Sequence, residues 1–273
     1  MFTLRPTAVA GAFYPGDSAT LARDVAKMLA NAHRQMEQLE TLPKAVIVPH
    51  AGYIYSGPVA ACAYALLEQG RDVYRRVVLL GPVHRVPVRG LALPGVDAFA
   101  TPLGDIELDQ AAIALLAGLK QVVVSPAVHA QEHSLEVQLP FLQAVLDDFK
   151  LVPLAVGDAT PAEVAQVLDV LWGGPETLIV VSSDLSHYLP YADAKSVDRQ
   201  TAQDILGMKA SLTHNQACGG TPVNGLLFAA SRRHLRPHLL DLCNSGDTAG
   251  DKSRVVGYAS FTFTEETNHA SHA

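Results

Sequence analysis

Short apolar runs alternate along the chain with longer amphipathic stretches. The apolar runs are bounded by Gly, Pro or polar residues, which is typical of buried strands. The amphipathic stretches repeat their apolar positions with the spacing of a helix. The pattern predicts strands at 44–48, 76–80, 122–124, 151–156, 177–182 and 255–263. It predicts helices at 18–33, 58–69, 109–118, 134–147, 161–172, 192–208 and 222–233.

Strands that alternate with helices indicate a parallel sheet covered on both faces. We therefore expect an α/β fold, a three-layer sandwich with a largely parallel central sheet. Residues 90–108 contain the turn signals Pro94-Gly95 and Leu103-Gly104-Asp105, which predict an antiparallel extension. Because no linker or repeat interrupts the pattern, we expect one domain over residues 1–264. Residues 265–273 lose the apolar pattern and are predicted to be a disordered tail.

Composition excludes several classes of function. A net charge of −7 and the lack of any basic run argue against a nucleic-acid partner. No stretch approaches the length of apolar sequence that crosses a membrane. The first residues lack the features of a secretion signal, and three cysteines form no disulfide framework. The sequence thus predicts a cytoplasmic protein without a membrane anchor.

Histidines follow several of the predicted strands at the point where each strand ends. His50 follows the first run, His84 follows the second, and Asp184 and His187 follow the run 177–182. Because the carboxyl ends of parallel strands share one edge of a sheet, where ligands bind, we expect these groups to meet. Imidazoles delivered separately to one edge indicate a metal site, and Asp184 is predicted to orient His187.

Two further segments carry chemistry. His133 precedes Ser134, which is predicted to cap a helix and so to place His133 at a positive helix end, where neutral imidazole is favoured. Cys218 precedes Pro222, which is predicted to open another helix. A thiol near a helix N-terminus ionises readily, as metal binding or nucleophilic attack requires.

These segments, taken together and in this order, resemble the Memo family, whose prokaryotic members are called AmmeMemoRadiSam system protein B. The resemblance covers nearly the whole chain. The matching segments are Arg5-Pro6, 10–15, 49–53, 81–84, 132–136, 182–187, 218–219, 244–248 and 255–258.

The resemblance implies a fold like that of the class III extradiol dioxygenases, which use non-haem iron. It implies that the metal ligands are His50, His84 and Cys218, holding one iron or copper ion. The family's pocket residues match His133, Asp184 and His187. It also implies AMMECR1-like and radical-SAM proteins as partners. Phe13 stands where eukaryotic members carry tryptophan, which argues against carrying over their peptide-binding and signalling role.

The leading hypothesis is a metal-dependent redox protein. His133 and His187 would then move protons or bind substrate. A small molecule or peptide would pack against Phe13, Tyr53 and Tyr55. A thiolate ligand also admits zinc and is itself oxidisable, so we expect no ring-cleaving dioxygenase activity.

Two alternatives remain open at this point. One is a non-catalytic module that binds a peptide or protein in a dioxygenase-like pocket, against the tyrosine wall. The other is a hydrolase or transferase with Cys218 as nucleophile and His187 or His133 as base.

Overall fold

The computed structural model describes residues 2–34 and 40–265. Its strands are β1 (Leu4–Arg5), β2 (Ala45–Val48), β3 (Arg76–Pro82), β4 (Leu91–Leu93), β5 (Ala98–Phe99), β6 (Ile106–Glu107), β7 (Val122–Val124), β8 (Lys150–Val156), β9 (Thr177–Ser182), β10 (His187–Leu189), β11 (Arg236–Asn244) and β12 (Val255–Thr264). Its helices are α1 (Ser18–His33), α2 (Tyr53–Leu67), α3 (Gln110–Ala114), α4 (Pro126–Ala130), α5 (Leu139–Val145), α6 (Pro161–Leu171), α7 (Tyr191–Leu206) and α8 (Gly220–Ser231). All but the first residue of the predicted tail lie outside the described residues.

The main sheet has the order β10-β12-β2-β9-β3-β8-β4-β7, and β11 pairs with β12. Its centre, β2-β9-β3-β8, is parallel throughout. Antiparallel pairs flank that centre, with β12 beside β2 and β4 beside β8. The predicted α/β class is therefore confirmed, and so is the antiparallel extension, since β4 lies within residues 90–108.

Two layers of helices cover the central strands. Apolar side chains from α1, α2 and α5 pack on one face of the sheet, and those of α6, α7 and α8 pack on the other. Successive strand residues point to opposite faces, so fully buried strands such as β9 contribute to both cores. The sequence also sets the helix starts, as at α6, where Thr160 and Glu163 form a reciprocal capping box.

Three elements differ from the prediction. Helix α2 begins at Tyr53, five residues before the predicted start at 58, and Pro58 lies inside the helix. Strand β11 was not predicted, because it is a half-exposed edge strand with mixed polar and apolar residues. The predicted helix at 134–147 is a short 3₁₀ turn followed by α5.

The N-terminal segment 4–16 lies across the face that carries α2 and α5. Arg5 donates to the backbone carbonyls of His129 and Glu132 and pairs with Glu136. The Phe13 carbonyl accepts a hydrogen bond from the first residue of α2, Tyr53, at 2.8 Å. The N-terminal segment is thus fixed at both ends beside the carboxyl edge of the parallel strands.

Among the described residues, no helix combines the length and the apolar character needed to cross a membrane.

Candidate metal centre

Three histidines from three different loops meet at the carboxyl edge of the parallel strands. His50 follows β2, His84 follows β3, and His133 lies between α4 and the 3₁₀ turn. One ring nitrogen from each lies within 4.8 Å of the others. We call these three residues the histidine cluster. Ring centroids are 5.1 Å apart for His50 and His84 and 4.6 Å apart for His84 and His133.

His50 is the deepest member of the cluster, with 1% of its surface exposed. Its backbone N–H donates to Asp184 Oδ1 at 2.7 Å, and its Nδ1 lies 2.8 Å from Ser182 Oγ. Burial, followed by the neighbouring imidazoles of His84 and His133, holds the pKa of His50 well below its usual range. His50 is therefore neutral, and its Nε2, 3.3 Å from Cys218 Sγ, is the ring nitrogen that Ser182 does not hold.

One carboxylate, that of Glu132, contacts both of the other two histidines. Glu132 Oε1 lies 2.8 Å from His84 Nδ1 and 3.4 Å from His133 Nδ1. Burial alone would raise the pKa of Glu132, but hydrogen bonds from His84 and from the Ser134 backbone outweigh it and lower the pKa to about 2. Burial lowers the pKa of His133 to about 4. Glu132 is thus ionised, His133 is neutral, and both rings turn Nε2 away from the carboxylate.

The predicted cap at Ser134 is wrong. Its hydroxyl donates to the Pro82 carbonyl at 2.8 Å, and no regular helix begins there. The neutral state predicted for His133 is present, but burial produces it rather than a helix end.

Cys218 lies beside His50, with Sγ 3.3 Å from His50 Nε2. Its loop approaches the end of β9 closely, since a side chain on Gly219 would meet the Ser182 carbonyl and the Ser183 side chain. Helix α8 begins at Gly220, so Pro222 does not open it. Burial, with Asp184 nearby, raises the pKa of the Cys218 thiol, which contradicts the predicted helix-favoured thiolate. The ligand role of Cys218 stays a prediction, and its sulfur stands within reach of the cluster.

Asp184 and His187 do not have the predicted relation, in which Asp184 orients His187. Asp184 is 4% exposed and holds the His50 backbone, and burial raises the pKa of its carboxyl group. The His187 ring donates from Nδ1 to the Leu185 carbonyl at 2.9 Å. Leu185, not Asp184, therefore orients His187. Its other nitrogen is left free at the cleft.

A cleft of about 820 Å³ opens beside the cluster. His84, His187 and Cys218 are among its lining residues. Aliphatic and polar side chains share the lining, which includes Asp158 but no lysine or arginine among the described residues. The aliphatic lining residues are Pro82, Val83, Pro87, Val88, Val156, Leu189 and Val197.

The three aromatic residues predicted to contact substrate differ in their surroundings. The Phe13 ring packs on His133, with centroids 4.7 Å apart. Tyr53 is 6% exposed and donates its hydroxyl to the Val137 carbonyl, and this burial argues against direct contact with a ligand. Tyr55 is 37% exposed on the first turn of α2. It is free to contact a ligand above the cluster.

Sequence reasoning missed Glu132 and Gln138. Glu132 stood within a recognised motif, next to His133, and that adjacency was the available signal. Gln138 is fully buried and donates to Ser182 Oγ at 2.8 Å. Nothing in the amphipathic pattern around Gln138 distinguishes it from a solvent-facing helix residue.

The donor set suits a borderline transition metal. Imidazole binds iron, copper, zinc and nickel, whereas magnesium and calcium require carboxylate or carbonyl oxygens. In each histidine Nδ1 faces a hydroxyl or carboxylate oxygen, which leaves Nε2 to face the metal position. The residues present therefore fit one such ion, held by the histidine cluster with Cys218 adjacent.

Comparison with known proteins finds related sequences that span nearly the whole chain. The chain is 34% identical over 282 residues to a MEMO1 family protein of Sulfurisphaera tokodaii, covering 95% of this chain and 99% of that protein. It is 37% identical over 281 residues to a MEMO1 family protein of Ignicoccus hospitalis, covering 95% and 98%.

A solved structure of an uncharacterized Escherichia coli K12 protein superposes with a TM-score of 0.52 at 14% identity. The match covers 81% of this chain and 99% of that one, and it supports the fold alone. The family model described as Memo-like protein matches residues 5–262. The chain therefore belongs to the Memo family.

Proposed function

We propose that this protein is a metal-dependent redox protein that holds one iron or copper ion on the histidine cluster. The observation that supports it is the convergence of one ring nitrogen from each of three histidines on separate loops, with Nδ1 of His50 and of His84 held by Ser182 and Glu132. His133, predicted as a proton carrier, is a ligand in this proposal. Cys218 is placed to join the set from the side of His50.

In this proposal the substrate is a small molecule with an apolar part. The aliphatic residues of the cleft would pack against that part, and no lysine or arginine of the described residues lines the cleft to pair with an anionic group. A bound iron or copper ion would supply one-electron chemistry beside the cleft. Histidine, asparagine and glutamine side chains at 214–216 line the cleft and can orient polar groups of the substrate.

His187 is the residue placed to move a proton. Its Nδ1–H is held by the Leu185 carbonyl, so Nε2 is the atom that can accept or donate at the cleft. The ring lies next to the cluster without belonging to it. In this proposal His187 serves the substrate, while the cluster holds the ion.

Metal analysis of protein purified without chelators tests the site. The wild-type protein should carry about one iron or copper ion per chain. His50→Ala and His133→Ala should each lower metal affinity more than about 100-fold, because even an outer partner of a ligand contributes 10–100-fold. His214→Ala is the matched control, since His214 lines the cleft outside the cluster. Full metal content in His50→Ala would overturn the assignment.

Redox titration of the metal-loaded protein tests the redox part of the proposal. Reversible oxidation and reduction of the bound ion, followed by electron paramagnetic resonance, is the expected result. A site that binds only zinc, or that loses its metal on every change of oxidation state, would contradict a redox role.

Exposed apolar residues, one of which (Tyr188) lines the cleft, favour a second candidate, a peptide-binding module. Ile54 is 69% exposed, Tyr188 is 62% exposed, and Tyr55 is 37% exposed. Tyr188 also has a positive φ of 60°, a strained conformation typical of functional loops. Saturable binding of a peptide that weakens in Tyr55→Ala, without any redox cycling, would favour this candidate.

A further inference from the structure

Glu132 is buried, and its side-chain partners are imidazoles rather than lysine or arginine. It is 1% exposed, and no lysine or arginine of the described chain forms an ion pair with it. Its Oε2 accepts the His84 backbone N–H at 2.6 Å. Its Oε1 accepts the backbone N–H groups of His133 and Ser134 at 2.9 and 3.0 Å, in addition to His84 Nδ1. A buried charge is costly unless it is paired.

The chemistry of Glu132 decides the tautomer of His84. Backbone N–H groups donate to both oxygens of Glu132, so this carboxylate accepts from every partner and His84 must donate. In the neutral ring of His84, Nδ1 therefore carries the proton and Nε2 carries the lone pair. His133 Nδ1 faces the same oxygen at 3.4 Å and is biased in the same direction.

A separate chain of bonds decides the tautomer of His50. Gln138 Nε2 donates to the Pro49 carbonyl at 2.9 Å, which identifies it as the NH₂ group, so it also donates to Ser182 Oγ. The single hydroxyl proton of Ser182 goes to the Ser134 carbonyl at 2.7 Å. Ser182 Oγ can then only accept from His50, so His50 Nδ1 carries the proton. The thiol of Cys218, 3.3 Å from Nε2, faces the resulting lone pair.

We propose that Glu132, Ser182 and Gln138 are positioning residues that present the histidine lone pairs before any metal arrives, with Glu132 as the buried anion that the metal's charge completes. The inference rests on the proposed metal site but not on the identity of the ion. Partners of this kind contribute about 10–100-fold to metal affinity.

Glu132→Gln tests the proposal with little change in shape. An amide offers one oxygen and one NH₂ group. If the glutamine oxygen takes the place of Oε1, the NH₂ group faces the His84 backbone N–H, which is itself a donor. In the opposite orientation the NH₂ group faces three donors, so neither orientation satisfies every partner. Zinc affinity, measured by chelator competition, should fall about 10–100-fold. Zinc is redox-inert, so this readout does not depend on the redox half of the proposed function.

Glu136→Gln is the matched control. Glu136 is equally buried in the same segment but contacts Arg5 and Tyr14 instead of histidines. It should lower stability and leave the zinc affinity of the folded protein close to wild type. Equal zinc affinity in Glu132→Gln and wild type would overturn the proposal.

Nitrogen-15 NMR of the metal-free wild-type protein needs no variant. His50 and His84 should both show protonated Nδ1 and unprotonated Nε2. In Ser182→Ala the His50 signal should change toward a mixture of tautomers, while Ser260→Ala, another buried serine, should leave it unchanged. Protonated Nε2 on His84 in the wild type would refute the inference even if metal binds. If the protein shows the expected tautomers but binds no redox metal, the result would refute the proposed function and leave this inference standing.

Discussion

Two fully buried glutamates, four residues apart, have opposite surroundings. Glu136 pairs with Arg5, accepts the Tyr14 hydroxyl at 2.6 Å and receives two backbone N–H groups from the N-terminal segment. Glu132 receives three backbone N–H groups and one imidazole, and no lysine or arginine of the described residues pairs with it. A guanidinium balances one carboxylate within the fold, whereas only imidazoles face the other.

The difference separates a structural site from a functional one. A buried pair such as Arg5 and Glu136 holds segments together and offers nothing to a ligand. An unpaired buried carboxylate that reaches two imidazoles prepares a place for an external cation. The comparison predicts that disturbing Glu136 costs stability, whereas disturbing Glu132 costs metal affinity.

Arg5→Ala should produce the largest loss of stability. Arg5 is 4% exposed, and its removal leaves Glu136 as an uncompensated buried charge. Removal of one partner of such a pair costs about 3–5 kcal/mol. Chemical denaturation of the metal-free protein measures the free energy of unfolding. The zinc affinity of the folded fraction should change less than it does in Glu132→Gln.

The double variant Arg5→Ala/Glu136→Gln is the control for Arg5→Ala. Because glutamine carries no charge, the double variant should be more stable than Arg5→Ala alone. If the single change costs less than about 1 kcal/mol, the value typical of an exposed pair, Glu136 does not depend on Arg5 for its charge.

His129→Gln should change the pH dependence of stability. His129 is 1% exposed, its Nε2 donates to the Ala92 carbonyl at 2.7 Å, and burial lowers its pKa to about 4. Between about pH 6.5 and pH 4 the unfolded chain binds a proton that the folded protein refuses. This residue therefore makes stability fall as the pH drops through that window, by about 3 kcal/mol in all. Glutamine keeps an N–H donor and does not titrate, so the fall should shrink by that amount.

Unfolding free energies at pH 7 and pH 4, without metal, measure the effect of His129→Gln. His234→Gln, at a positive-φ position outside the cluster, is the comparison variant and should keep the wild-type slope. An unchanged slope in His129→Gln would mean that His129 is protonated in the folded protein.

The residues at the strand ends show how much of the site the sequence pattern and the sheet topology predict. His50 and His84 follow buried apolar runs, and these runs form two parallel strands of one sheet, β2 and β3, with β9 between them. Their carboxyl ends share one edge of the sheet, so the meeting of these two residues was predictable. The third member of the cluster was recognised as functional but not as a ligand. His133 reaches the cluster through an irregular segment between α4 and the 3₁₀ turn, and no periodicity describes such a segment.

The polar residues that hydrogen-bond the cluster could not be predicted from the sequence, for a different reason. The roles of Glu132 and Gln138 depend on which buried atoms face them after folding, and hydrophobic patterning carries no information about polar partners. Tyr53 shows the converse error. Its position near a histidine suggested a ligand wall, but α2 starts at that residue and turns it into the core.

Phe13→Leu should have the smallest effect. It tests whether the region around Glu136 influences the metal affinity of the histidine cluster beside Glu132. Phe13 belongs to the N-terminal segment that Glu136 anchors, and its ring packs on His133 at 4.7 Å. Such ring pairs contribute about 0.5–1.5 kcal/mol beyond the area they bury. If the contact holds His133 in place, zinc affinity should fall by less than about tenfold, the equivalent of 1.4 kcal/mol. An unchanged zinc affinity together with lower stability would show that Phe13 supports only the fold, and that Glu132 positions His133 without help from the region around Glu136.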